Sequence, residues 1–198
     1  MKCNSAPFSL LSTTLLALTS CDQHQTAPQK TEIASPFKPV ATLQELMVSV
    51  IDPNIDPIWN SVSTVSTKSG TVEKVPQTDE EWTQLRHHAV TLTEVSNLLA
   101  IEGRPIAVEG ASTSIHPVEL SPADIQKTIA ANRADFNKHA QAFQNATQLL
   151  LQAIDNKNTE ELVQAGGVVE HVCEQCHKQF WYPNDKLPSA NIDLSTKK

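Results

Sequence analysis

The residues that most constrain this chain's fold are Trp82, Leu85, Ala89, Leu92, Ser96 and Leu99, spaced 3-4-3-4-3 along the sequence. That spacing brings one side chain per turn to a single helix face, the seam by which helices pack into bundles. Thr78, with Glu81 three residues later, reads as a capping box at its start, and Gly103 as its terminator. With only five glycines in 198 residues and 5% aromatics, the pattern predicts an all-α chain.

Three more helical segments carry the same signature. The first begins at Thr42, capped to Glu45, with Leu43, Leu46, Met47, Val50 and Ile51 on its apolar face. Pro53 and Pro57 should break or kink it, leaving a second piece with Ile58, Trp59 and Val62. Another runs from Ser121, with Pro122 at its first helical position, to about residue 155. Its stripe is Ile125, Ile129, Phe136, Phe143, Leu150 and Ile154. The last starts near Asn158 or Thr159, shows Leu162, Ala165, Val169, Cys173, Cys176 and Phe180 on one face, and ends before Pro183. The short link around Asn156-Lys157-Asn158 makes the last two antiparallel neighbours. Residues 63–77, with Lys68-Ser69-Gly70, suit a small hairpin, and 103–120 form a longer connection. The expected architecture is an up-and-down four-helix bundle. Gly166-Gly167 marks a place where a neighbouring helix or bound group needs room.

On the last helix lies Cys173-Glu174-Gln175-Cys176-His177. C-x-x-C-H is the attachment pattern of a c-type haem: two thiols add across the porphyrin vinyl groups, and the adjacent imidazole becomes an axial iron ligand. Cys173, Cys176 and His177 stand at i, i+3 and i+4, on one face of a helix. Two other readings stay open. With His171 the motif makes half of a zinc site, but structural zinc draws on two separated ligand pairs and no second C-x-x-C exists. A redox C-x-x-C would follow a strand in a βαβ pattern, which the chain lacks.

The N-terminus predicts export. Lys2, the apolar run Phe8 to Leu18 and then Leu18-Thr19-Ser20-Cys21 read as a signal of the bacterial lipoprotein type, cleaved after residue 20, with Cys21 lipidated. An ordinary cleaved signal with Cys21 an idle thiol is the alternative. Residues 1–20 are thus the signal, 21–40 a flexible tether rich in Gln, Thr, Ser and Pro, 41–182 the folded domain and 183–198 a tail. The four cysteines are then accounted for: Cys3 leaves with the signal, Cys21 carries lipid, and Cys173 and Cys176 carry haem. Export matters because c-type haem is attached outside the cytoplasm, where free thiols otherwise tend to oxidise.

Loss of Lys2 with the signal takes the formal charge from −7 to −8. An acidic chain without basic runs argues against nucleic acid and against charge-driven binding to anionic lipid, and favours a basic docking partner. The sequence has no Gly-rich phosphate loop, nucleophile elbow or H-E-x-x-H. Asp79-Glu80-Glu81 suits a helix N-terminus rather than acid–base chemistry. No enzyme activity is expected.

Taken together, an exported helical chain with one C-x-x-C-H near its C-terminus resembles the class II c-type cytochromes, the cytochrome c-prime type of four-helix bundle. The resemblance covers roughly 41–182 and rests on the four helices and on Cys173-x-x-Cys176-His177-x-x-Phe180. It implies one haem c on the C-terminal helix, thioethers from Cys173 and Cys176, His177 as proximal ligand, and a periplasmic one-electron carrier with a redox partner protein. Such bundles are often dimers, so a homodimer is an expectation. The family often has a basic residue where this chain has Trp181, which leaves Lys178 or Lys186 to pair a propionate. Low-spin members ligate iron with a methionine of the first helix. Met47 is the one methionine left after Met1 departs with the signal, and it lies there. Core packing predicts the same direction for Met47. His87, His88, His116, His139 and His171 are the competing ligands, His88 lying nearest the helical seam. The first alternative function is a gas-binding or sensing protein with an open distal site, and the second a structural or metal-binding lipoprotein without haem.

Overall fold

The computed structural model describes residues 37–112 and 116–185. The expected signal, Cys21, most of the tether and residues 186–198 of the C-terminal tail, Lys186 among them, lie outside the described residues. The described chain is mostly helical: α1 (Leu43–Leu46), a π-helical turn (Met47–Ile51), α2 (Asp52–Trp59), α3 (Asp79–Leu99), α4 (Pro122–Ala131), α5 (Arg133–Asp155) and α6 (Thr159–Phe180). A hairpin of β1 (Ser63–Thr67) and β2 (Gly70–Lys74) pairs Val65 with Val72 and turns at Lys68-Ser69, as expected. Gly70, at φ +130°, takes the conformation that a side chain would disfavour. No described helix is long and apolar enough to cross a membrane.

The helix starts follow from their caps. Both capping boxes form: Thr42 and Thr78 each accept the backbone N–H of the glutamate three residues on, and Glu45 and Glu81 reach back to the cap backbone. Ser121 caps α4 and Asn158 caps α6. The α3 seam is buried from Trp82 to Leu99 and packs against α5, which packs in turn against α6. The stripe from Ile125 to Ile154 is buried throughout.

Two expectations change. The segment from Ser121 to residue 155 is not one helix but two, broken at Asn132 (φ −127°, ψ 38°). There the Asn132 side-chain amide donates to the Thr128 carbonyl at 2.9 Å, a local bond of the kind that competes with helix continuation. Pro53 and Pro57 do not divide the first helical segment either. The π turn precedes Pro53, with the Asp52 N–H donating to Met47 O, and Asn54 Nδ2 donates to Val50 O at 2.7 Å. Helical structure runs through to Trp59 with Pro57 inside it.

The connection after α3 fixes where this first segment sits. The Leu43 and Gln44 N–H groups, orphaned at a helix start, donate to the Pro105 and Ile106 carbonyls at 2.8 and 2.9 Å. Buried Arg104 clamps the same corner, donating to Ala41 O and, at 3.0 Å, to Leu98 O. The clamp holds Met47 and α2 against α3 and beside α6.

Candidate haem-binding site

A cavity of about 700 Å³ opens beside the last turns of α6. Cys173, Cys176 and His177 line one side, and Met47, Ile51 and Ile55 from the first helical segment line another. Leu99 of α3 and Phe136, Ala140 and Phe143 of α5 complete largely apolar walls. Its volume falls within the usual range of small-molecule sites. The cavity leaves a mark on α6: every residue from His171 to Lys178 is half-buried, where a packed amphipathic helix would alternate buried and exposed.

The motif side chains are poised in their neutral forms. Burial pushes the Cys173 thiol up to about 12, with the charges of Asp52 and Glu170 adding to the effect. Burial likewise pushes Cys176 up to about 12, with Cys173 adding. Both thiols are free. Burial lowers the His177 pKa, opposed by the charges of Glu174, Glu119 and Asp52, so the imidazole favours the neutral form that binds metals. The His177 ring lies 5.5 Å from the Trp181 ring and 6.4 Å from Tyr182. Tyr182 donates to Glu174 Oε2 at 2.6 Å, and Lys178 Nζ is 3.5 Å from Glu174 Oε1.

Of the competing histidines, His139 and His171 reach the cavity, while His87, His88 and His116 do not. His88 Nδ1 is 2.9 Å from Asn54 Oδ1 instead. His139 bonds Gln179 Oε1 at 2.7 Å and meets the Phe180 ring edge-on at 5.9 Å. Of the two lysines suggested for a propionate, Lys178 lines the cavity. Gly166 is a close-approach point, with its carbonyl accepting from Trp59 Nε1 at 3.3 Å, whereas Gly167 faces open space. Sequence reasoning passed over Trp59, Glu174 and Tyr182 as site residues. Glu174 lies inside the motif, and Tyr182 follows His177 by five residues, which was signal enough to consider them.

The donor set fits a c-type haem: two protonated thiols one helical turn apart, an adjacent neutral imidazole, and a thioether on the same apolar cavity. Zinc would need thiolates and a convergent tetrahedron. Among the described residues, no three His, Cys, Asp or Glu side chains are grouped to hold an ion.

Residues 109–181, which take in α4 to α6 and the whole motif, match the family model of cytochrome C′. The match supports a class II c-type cytochrome, as the resemblance in the sequence implies. No curated protein and no solved structure matches the chain.

Proposed function

From the class II c-type cytochrome that the match over 109–181 supports, we propose a periplasmic, lipid-anchored, monohaem electron carrier. The haem is held by Cys173 and Cys176 on the last helix of an up-and-down four-helix bundle, whose members are the first helical segment, α3, α5 and α6. His177 is the proximal ligand and Met47 the distal one. The observation that carries this reading is that Met47 and the Cys173–His177 motif line one apolar cavity. Bound iron supplies reversible one-electron exchange. The protein's part is to fix the two thioether positions, present a neutral imidazole, exclude water with Ile51, Ile55, Leu99 and Phe143, and offer a thioether sulfur that raises the potential relative to a second imidazole. Lys178 is the cation available to a propionate. The anchor rests on Leu18-Thr19-Ser20-Cys21, and the acidic charge favours a basic redox partner.

Optical spectra of the purified oxidised and reduced protein test the assignment. The expected result is a low-spin spectrum in both states, with Met47→Ala turning high-spin and binding carbon monoxide. A wild-type protein that is high-spin in both states and binds carbon monoxide readily would overturn Met47 ligation in favour of a gas-binding protein. A Met47→Ala variant that keeps an unchanged low-spin spectrum would overturn Met47 ligation in favour of another side-chain ligand.

A further inference from the structure

Three carboxylates bear electrostatically on His177: Glu174, Glu119 and Asp52. Glu174 is committed, accepting from Tyr182 through one oxygen and facing Lys178 through the other. Asp52 is exposed and sits on α2, just past the π turn that bears Met47. Glu119 differs from both. Its Oε2 is buried and accepts from no donor among the described residues. The backbone holds it against the end of α6: Leu120 N–H donates to Trp181 O at 2.8 Å, and Trp181 N–H donates to His177 O at 2.8 Å. A buried acceptor left without a donor destabilises a fold. Such an oxygen in a native fold calls for a partner.

The His177 ring, unbonded to Glu119 in this structure, is the donor that haem attachment would fix at that corner. An imidazole that binds iron through one ring nitrogen keeps an N–H on the other, and in metal sites that N–H almost always goes to a carboxylate, a carbonyl or a water. We infer that Glu119 is the positioning residue for His177: once haem is attached, its buried oxygen would accept the ring N–H turned away from the iron. The bond fixes the ring's tautomer and orientation and strengthens the imidazole as a donor, which stabilises ferric over ferrous iron. This inference rests on the haem assignment of the preceding section.

The test uses the haem-loaded protein, with haem content read from the pyridine haemochrome and the potential from a spectroelectrochemical titration. Glu119→Gln should raise the potential, with the ferrous-to-ferric ratio at a fixed poise rising about tenfold, equivalent to about 59 mV for one electron. Glu119→Asp should keep most of the wild-type value. Glu174→Gln removes the same charge from a carboxylate committed elsewhere, and should shift the ratio by less than half as much on the logarithmic scale. Equal shifts in Glu119→Gln and Glu174→Gln, or a ratio within twofold of wild type in Glu119→Gln, would overturn the inference. If Glu119→Gln does not fold, wild-type proton NMR decides. The His177 ring N–H should exchange slowly with solvent, and rapid exchange would sink the proposal. Absence of haem from the wild-type protein would instead defeat the haem reading itself.

Discussion

Gly166 and Gly167 are adjacent in α6, neither has positive φ, and both should gain helix propensity when changed to alanine. Their surroundings differ. A Cβ at Gly167 would meet nothing within 4 Å, whereas one at Gly166 would stand 3.3 Å from Trp59 Cδ1 and 3.4 Å from Nε1. Gly167→Ala should therefore stabilise by about 0.5–1 kcal/mol, the usual helix-interior gain. Gly166→Ala gains the same but pushes Trp59 outward and lengthens an Nε1–carbonyl bond already at 3.3 Å. Losing that bond costs about 1 kcal/mol, which cancels the gain or slightly exceeds it. The two variants should differ by about 1 kcal/mol, or roughly 2–4 °C in Tm for a chain of this size. Because the helix position is nearly shared, the difference isolates the Trp59 contact. Trp59 also lines the large cavity, so Gly166→Ala should shift the haem absorption and the tryptophan fluorescence while Gly167→Ala leaves both alone. Equal Tm changes in the two variants, or a larger stabilisation from Gly166→Ala, would refute the reasoning.

The sole tyrosine, Tyr182, provides a spectroscopic check on the site's electrostatics. Burial first, then its bond to Glu174 and that carboxylate's charge, hold its pKa above the ordinary value of about 10. The neutral form is favoured in the fold, so this contribution to stability is complete below about pH 10 and is lost as pH rises through the folded value. Near-UV titration should show no tyrosinate at pH 10 in the native protein and a midpoint near 10 after unfolding; a native midpoint near 10 would refute it. Arg104→Ala should cost about 2–4 kcal/mol, because the buried guanidinium bonds both Ala41 O and Leu98 O. The readout is the urea midpoint, and a loss below about 1 kcal/mol would show that the corner holds without it. Arg104→Lys should recover only part, since one ammonium does not reproduce the planar fork.

Helix seams and caps were legible in the sequence because their signals are local. Thr78 with Glu81, Thr42 with Glu45 and the buried run from Trp82 to Leu99 need no tertiary information. The motif was legible for the same reason. The break at Asn132 was not, because the apolar stripe keeps its phase across it, with Ile129 and Phe136 both buried seven residues apart. Periodicity registers nothing where a side-chain amide captures a carbonyl without shifting the buried face. The choice among histidines depended on which helix face meets the cavity, a tertiary fact: His88 bonds Asn54, while His139 and His171 reach the site. Glu119 lies outside every regular element, fifty-eight residues before His177 in sequence, and the Leu120–Trp181 backbone bond, a tertiary contact, ties its segment to the end of α6.

The first helical segment shows how two prolines fit without a break. Its buried residues are Leu43, Leu46, Ile51, Ile55 and Ile58, so the spacing runs 3, 5, 4, 3. A regular α-helix would place Val50 after Leu46 and then Pro53 and Pro57 on the same stripe, three residues and seven residues on. The interval of five coincides with the π turn from Met47 to Ile51, which takes in one extra residue and advances the face by that much. After it, Ile51 occupies the position that Val50 would have held. The prolines turn off the buried face, leaving Pro53 exposed where its missing N–H costs the core nothing. Met47 and Ile51, the two ends of that turn, both line the cavity wall. A π turn at a position that also bears the candidate iron ligand is therefore accounted for by packing alone, and ligation by Met47 adds no conformational demand to it.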